Sequence, residues 1–275
     1  MTVLWFVVLL SLAGAAFLGV ARDGMDESTM LRQRARAESL AETGVSLALL
    51  LLLESAHRGA LSRDGSPRTF GIGEDRVTVR VQDVAGRIDL NDADEALLRG
   101  LFLSAGLEPG RAEALAAAVL DWRDRDDEGQ AEAALYRRAG LAHGPANRPF
   151  ETVNELRQVV GVDTALFARV APALTVYAWR PEVDAAYATP VVLSALRAAG
   201  AAEPRGSGET VTAADVRPRW GIVGADLPPS DTDTYAIDVD AALADGTRFR
   251  AEAVVMLTGD AARPFTVQAW APALD

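Results

Sequence analysis

The sequence predicts an α+β protein, because a long helical N-terminus is followed by strands that lie on both sides of a helical block. Residues Asp26 to Leu61 contain no proline and are dominated by Ala, Leu, Arg and Glu, which favour helix. Alternation of polar and apolar residues from Arg76 to Val81 is typical of a half-buried strand. Strand-like patterns return near the C-terminus, after a long stretch with helical spacing.

The composition excludes several classes of chemistry. The 275 residues include 39 acidic and 27 basic side chains, for a net charge of −12, and every basic residue is Arg. Because Lys and Cys are absent, Schiff-base lysines, P-loop lysines, thiol nucleophiles, disulfides and Cys-ligated metals are impossible. So acidic a chain does not attract nucleic acid through an overall basic field. The length and the 49% apolar content allow one large domain or two modest ones.

The N-terminus predicts a membrane-spanning helix over residues 1–21. No charged side chain occurs before Arg22, and about 20 helical residues cross a bilayer of about 30 Å. The alternative is a cleaved signal peptide with a small-residue exit at Ala13-Gly14-Ala15, but the positively charged start that such a peptide needs is missing. Both interpretations place the remainder of the chain outside the cytoplasm.

The second half of this N-terminal helix is predicted to pack on protein. Its apolar run, Val45 to Leu53, is too short to cross a bilayer. We therefore expect one long helix whose first half lies in lipid and whose second half is buried against a globular head. His57, near its end, is expected at the surface or in a helix cap.

The remaining elements follow in order. After a turn-rich stretch at 62–73, the strand at 76–81 and a second strand at 87–90 are predicted to form a hairpin around Ala85-Gly86. Helices are expected near 93–105, 109–121, 131–139, 151–159 and 163–170, as an all-helical insertion. Strand character returns at 174–177, followed by a short helix at 190–202, a loop at 203–208, and strands at 234–239, 248–258 and 265–270.

The densest group of charges is the acidic loop, residues Asp121 to Glu132, where six carboxylates meet only two Arg. Hard cations prefer such oxygen ligands, and calcium takes six to eight of them from flexible loops. Asp124, Asp126 and Glu128-Gly129 imitate the start of an EF-hand, but its twelfth position is Leu135 instead of the bidentate Glu. Two alternatives are a solvated loop that pairs with its own Arg residues and a glycosidase-like carboxylate pair.

A second motif raises the question of nucleic acid. Leu156 to Asp163 resembles the turn of a helix-hairpin-helix, which grips phosphates with glycine amides, but Asp163 replaces the second glycine. The carboxylate would repel phosphate, so packing is the favoured interpretation of this hairpin. A membrane-anchored DNA-binding protein of the competence type is the rival hypothesis. An anchored hydrolase is a third, although neither His57 nor His143 has a serine elbow nearby.

Five stretches together resemble the minor pseudopilin K (GspK) family of bacterial type II secretion systems. In chain order they are GRIDLN (86–91), VLDWRDRD (119–126), NRPFETVNEL (147–156), PALTVY (172–177) and EAVVML (252–257). The similarity runs through nearly the whole chain and is strongest in these short stretches.

The resemblance implies a pilin-like fold, with the long helix on an antiparallel sheet and a large helical domain inserted in that sheet. It divides the chain into a transmembrane half-helix (1–21), the second half-helix with the first strands (22–90), the helical insertion (91–172) and the remaining sheet (173–275). It implies calcium in the insertion, with Asp124, Asp126 and Glu132 as the first ligand candidates and Asp121 and Asp127 next.

The resemblance also implies a role in assembly. The protein is expected at the tip of the pseudopilus, anchored in the inner membrane with its C-terminal domain in the periplasm. Its expected partners are the minor pseudopilins I and J, other pseudopilus subunits and inner-membrane secretion components. The bulky insertion would block the addition of a subunit above it, and neither catalysis nor nucleic-acid binding is expected.

Overall fold

The structure, a computed structural model, describes residues 29–54, 63–126, 128–200 and 233–272. The predicted membrane helix at 1–21, His57 and the predicted loop at 203–208 lie outside the described residues. No helix within the described ranges combines the length and apolar character that crossing a membrane requires.

The helices and strands alternate in blocks. The helices are α1 (29–53), α2 (Glu95–Ser104), α3 (Pro109–Arg123), α4 (Ala133–Arg138), α5 (Thr164–Val170) and α6 (Pro190–Gly200). The strands are β1 (Asp64–Ile72), β2 (Asp75–Asp83), β3 (Ile88–Asp89), β4 (Leu174–Thr175), β5 (Thr234–Ala242), β6 (Arg248–Asp260) and β7 (Arg263–Pro272). Short 3-10 turns occur at Val84–Gly86, Val153–Gln158 and Ala171–Ala173.

Five strands form one antiparallel sheet in the order β1-β2-β5-β6-β7. The chain leaves this sheet after β2 and returns to it at β5, which pairs directly with β2. At the point of departure, β3 pairs in parallel with β4 and brings Asp89 opposite Thr175. The helical insertion therefore begins and ends at one place beside the sheet.

Helix α1 covers one face of the sheet. Its buried residues recur every three or four positions, as an amphipathic helix requires, and those of the strands recur every second position. The helix buries Ala37, Leu40, Ala41, Val45, Ala48, Leu49 and Leu52 against strand residues that include Val77, Val79, Ile237, Val239 and Val255. The prediction that the second half of the N-terminal helix packs on protein is confirmed.

Helix α1 and the sheet approach each other closely at Gly44. A Cβ at this position would lie 2.6 Å from Val77 Cγ2 and 2.9 Å from Val239 Cγ1. Glycine is unfavourable inside a helix. Its presence here is explained because the sheet leaves no room for a Cβ at this position.

The insertion has a hydrophobic core of its own. Its largest fully buried side chains belong to α2, α4, α5, α6 and the connecting segments, and include Phe102, Leu98, Tyr136, Leu156, Leu166 and Leu196. Helix α6 packs directly on α2, where a Cβ on Gly100 would collide with the Ala195 carbonyl. This core therefore continues to residue 199, beyond the insertion bounds of 91–172 expected from the sequence.

The α+β class and the pilin-like arrangement are confirmed, and two local predictions are wrong. The stretch predicted to be turn-rich contains β1, an edge strand with Pro67 and an irregular register near Asp64. The predicted second strand of a hairpin, 87–90, does not pair with 76–81. It supplies β3 instead, and β2 pairs with β1 and β5.

Candidate metal site in the acidic loop

The acidic loop connects α3 to α4. It begins inside the last turn of α3, where Asp121 and Trp122 are both buried. Glu132 occupies the N-cap position of α4. The two helices thus position the first and last carboxylates of the loop, and the residues between them are mostly exposed. Asp127 lies outside the described residues.

Asp121 closes the loop. Its Oδ2 accepts a hydrogen bond of 2.7 Å from the Ala131 N–H, ten residues along the chain. The Gly129 backbone rests against the same carboxylate, since a Cβ on Gly129 would lie 2.5 Å from the Asp121 Cγ and Oδ2. One carboxylate therefore fixes the path of the loop through contacts within the protein.

Asp124 is half-buried, whereas Asp126 is exposed. Asp124 follows α3 as its C-cap residue, and its Oδ1 is shielded from solvent without a hydrogen-bond partner among the described residues. Burial and the carboxylates of Asp126 and Asp121 raise the pKa of Asp124, although Arg123 opposes them. Asp126 Oδ1 accepts a bond of 2.9 Å from the Glu128 N–H.

An aromatic group supports the loop from inside. Trp122 stacks on Phe150 with ring centroids 5.8 Å apart, and it contacts Tyr136 at 6.4 Å. Burial raises the pKa of Tyr136 to about 12, and the nearby carboxylates of Asp121 and Glu132 act in the same direction. The carboxylates at the two ends of the loop therefore converge on Tyr136.

The predicted ligands are brought into one region without forming a complete site. The carboxylates of Asp126 and Asp121 are close enough to raise the pKa of Asp124, and those of Asp121 and Glu132 both raise the pKa of Tyr136. Within the described part of the chain, no three acidic or histidine side chains are grouped as a metal would require. An orphaned, shielded oxygen on Asp124 between two carboxylates is nevertheless the kind of atom that a cation satisfies.

Asn147 also contacts the acidic loop, a role that was not predicted from the sequence. Its backbone adopts a positive φ of 50°, which Asn tolerates better than most residues. Its Nδ2 donates a hydrogen bond of 3.1 Å to the Asp126 carbonyl, so it connects the acidic loop to the segment before Phe150. The position of Asn147 at the start of the NRPFETVNEL stretch (147–156) is the signal that the sequence offered for this residue.

The helix-hairpin-helix resemblance corresponds to a packed turn. Asp163 caps α5, because its Oδ1 accepts a bond of 2.7 Å from the Leu166 N–H, and Gly161 has the positive φ of 93° that the turn requires. Arg111 donates to the Gly161 carbonyl at 3.4 Å. His143 is exposed, and its Nε2 lies 3.0 Å from the Gln158 carbonyl oxygen.

The fold and the site together define a class, the pilin-like proteins that carry a helical domain between two neighbouring strands of the sheet. A chain of the GspK-GspI-GspJ complex from the type 2 secretion system of enterotoxigenic Escherichia coli has this fold. The TM-score is 0.55 with 18% identity, and the match covers 93% of this chain and 99% of that chain.

Part of the chain also matches a known protein family by sequence. Residues 81–179 match the family model of type II secretion system (T2SS) protein K. The protein K of Pectobacterium carotovorum subsp. carotovorum is 35% identical over 79 residues, or 28% of this chain, and that of Klebsiella pneumoniae is 29% identical over 121 residues, or 38%. These matches span 24% and 37% of the two relatives' lengths. Over residues 81–179 the chain matches the protein K family of type II secretion systems, in agreement with the resemblance seen in the sequence.

Proposed function

We propose that the protein is a minor pseudopilin at the tip of the type II secretion pseudopilus, where it initiates and caps assembly. The observation that carries this proposal is the placement of the helical insertion. It leaves the sheet after β2 and returns before β5, in the region that matches protein K. A domain of this size beside the sheet would obstruct the addition of a further subunit above it.

The proposed partners are the minor pseudopilins I and J, the proteins named with GspK in the structure that shares this fold. Other pseudopilus subunits and inner-membrane secretion components are the wider assembly. The uncharged segment 1–21 is proposed to anchor the chain in the inner membrane as a single span, with the rest in the periplasm. The role is structural, and we propose that the protein is not an enzyme.

Co-purification from the native host tests this assignment. The full chain, tagged at its C-terminus and extracted in detergent, should retain the I and J pseudopilins encoded in the same genome. Deletion of its gene should stop secretion of a type II cargo, and a plasmid copy should restore it. Normal secretion without the gene, or a complex that lacks both I and J, would contradict the proposal.

We also propose that the acidic loop binds calcium. The supporting observations are the shielded Oδ1 of Asp124, the pKa of Asp124, which the nearby carboxylates of Asp126 and Asp121 raise, and the position of Glu132 at the other end of the loop. Asp124, Asp126 and Glu132 are the first ligand candidates, with Asp127 next. Asp121 supplies one oxygen to the Ala131 N–H, so only its other oxygen is available to a metal.

Thermal unfolding of the full chain in detergent tests the calcium site. The Tm should be higher in millimolar calcium than in chelator, because a ligand that binds only the folded state stabilises it. The Asp124→Asn/Glu132→Gln variant should lose this difference. The Glu74→Gln/Glu113→Gln variant removes the same charge at two exposed positions and should keep it. Equal Tm values for the parent chain with and without calcium would refute the site.

A further inference from the structure

The helical insertion and the sheet have separate hydrophobic cores. The buried residues of the insertion and those between α1 and the sheet form two groups that share no member. Between them lies a group of three buried residues, Val84, Ala178 and Ala236. Apolar burial between the two units is therefore small, and units joined in this way move relative to each other unless another contact fixes them.

Arg87 lies where the chain passes from the sheet to the insertion. It is only 9% exposed, and its guanidinium contacts three strands of the sheet. Nε donates to Gln82 Oε1 at 2.8 Å, one terminal nitrogen donates to Glu252 Oε1 at 2.8 Å, and the other lies 3.8 Å from Asp238 Oδ2. These partners belong to β2, β6 and β5, so a single side chain fastens the start of the insertion to the sheet.

The segment 184–187, which follows β4, contacts residues 82–86 near Arg87. Gln82, which accepts from Arg87, also donates its Nε2 to the Tyr187 carbonyl at 3.2 Å. The Asp184 N–H donates to the Ala85 carbonyl at 2.7 Å, and a Cβ on Gly86 would collide with the Tyr187 carbonyl. Gln82 thus connects the outgoing and the returning segments.

We infer that Arg87 is a positioning residue that fixes the helical insertion against the sheet, so that the two cores move as one body. A guanidinium removed from water must be compensated by close partners, and its planar array of donors suits several acceptors at once better than an ammonium group does. Loss of Arg87 leaves both cores intact and removes the side-chain contacts with β2, β5 and β6 that help to orient one core relative to the other. The inference goes beyond the proposed function and depends on neither calcium nor partner binding.

Distance measurements on the full chain test the inference. The protein has no native cysteine, so Glu113→Cys in α3 and Thr266→Cys in β7, both at exposed positions, carry the only two spin labels. The distance distribution between them should be narrow in the parent and at least twofold broader after Arg87→Met. The Arg250→Met control removes the same charge from an exposed arginine of β6 that pairs only with Asp240 among the described residues, and it should remain narrow.

Two results would overturn the inference. One is a distribution for Arg87→Met as narrow as that of Arg250→Met, and the other is an equally broad distribution in the parent. If Arg87→Met does not fold, the Gln82→Leu/Glu252→Gln variant removes two partners of Arg87 and takes its place, with the same broadening expected. A distance distribution of unchanged width in that variant would also overturn the inference.

Discussion

The side chain of Asn91 pairs with the backbone of Phe150 as a neighbouring strand would. Its Oδ1 accepts the Phe150 N–H at 2.7 Å, and its Nδ2 donates to the Phe150 carbonyl at 3.0 Å. Phe150 stacks on Trp122, the residue next to Asp121. The start of the insertion is thereby connected, through one amide, to the aromatic group behind the acidic loop.

Replacing Asn91 by alanine should lower the free energy of unfolding by about 1–3 kcal/mol, because two partly buried backbone groups lose their partners. Chemical denaturation in chelator measures this change without a contribution from metal. Asn154→Ala, at an exposed position of the neighbouring 3-10 turn, is the control and should change stability by less than about 0.5 kcal/mol. Equal effects of the two substitutions would contradict the role of Asn91.

Gly129→Ala should destabilise the protein, although alanine is usually the better residue. The new Cβ would lie 2.5 Å from the Asp121 carboxylate, so the loop must shift and weaken the Asp121–Ala131 bond, at a cost of about 1–3 kcal/mol. Gly110→Ala, in contrast, is not expected to destabilise the protein. Nothing lies within 4 Å of a Cβ there, and alanine inside α3 should be neutral or stabilising by up to about 1 kcal/mol. Denaturant midpoints of the two variants therefore move in opposite directions.

The raised pKa of Asp124 predicts a pH dependence of stability. A carboxyl whose pKa is higher in the folded state binds its proton more tightly there, so its contribution to stability falls as the pH rises from the unfolded value of 3.8 through the folded one. In chelator, Asp124→Asn should remove this loss and raise the Tm at pH 7 relative to the parent. The two proteins should converge near pH 3. A difference in Tm between the two proteins that stays constant from pH 3 to pH 7 would contradict the prediction.

When calcium is present, the expected effect of Asp124→Asn on stability changes sign. The ionised carboxylate then has a cation to satisfy it, so the parent should be the more stable protein at pH 7. Comparison of the two proteins at pH 7, with calcium and with chelator, separates the repulsion between carboxylates from the binding of metal. An Asp124→Asn variant that is more stable under both conditions would exclude Asp124 as a ligand.

Gly44→Ala should destabilise the packing of α1 on the sheet. Helix propensity alone favours alanine by about 1 kcal/mol, whereas the new methyl group would lie 2.6 Å from Val77 Cγ2 and 2.9 Å from Val239 Cγ1. Overpacking of this kind typically costs about 1–3 kcal/mol, so the net change is a loss of stability. Thr43→Ala, exposed on the same helix, should be neutral or slightly stabilising. A higher Tm for Gly44→Ala would show that helix and sheet can separate at little cost.

Much of the fold could be predicted from the sequence because its signals are local. The predicted ranges 93–105, 109–121 and 163–170 lie within two residues of the observed bounds of α2, α3 and α5. Strand β1 was missed because Gly65, Pro67 and Gly71 resemble a loop, and edge strands tolerate such residues. The parallel pair β3–β4 joins Ile88 to Leu174, and no short-range pattern reports so distant a partner.

The acidic loop could be located from the sequence, but the roles within it could not. Charge density points equally to all six carboxylates. The structure distinguishes Asp121, which is committed to the Ala131 N–H, from Asp124, whose Oδ1 is shielded and without a partner among the described residues. Burial and hydrogen bonding in the loop depend on how α3, α4 and the aromatic group pack together. Local sequence patterns do not report this tertiary packing.

The pairing of β2 with β5 has a consequence for the order of folding. Asp83 lies opposite Tyr235, although the whole insertion separates them along the chain, and closing so long a loop is entropically unfavourable and slow. Pairing of Ile88 with Leu174 shortens the effective loop once the insertion has folded. We therefore expect the helical domain to form first, and the central strands of the sheet to meet only when that domain has brought their ends together.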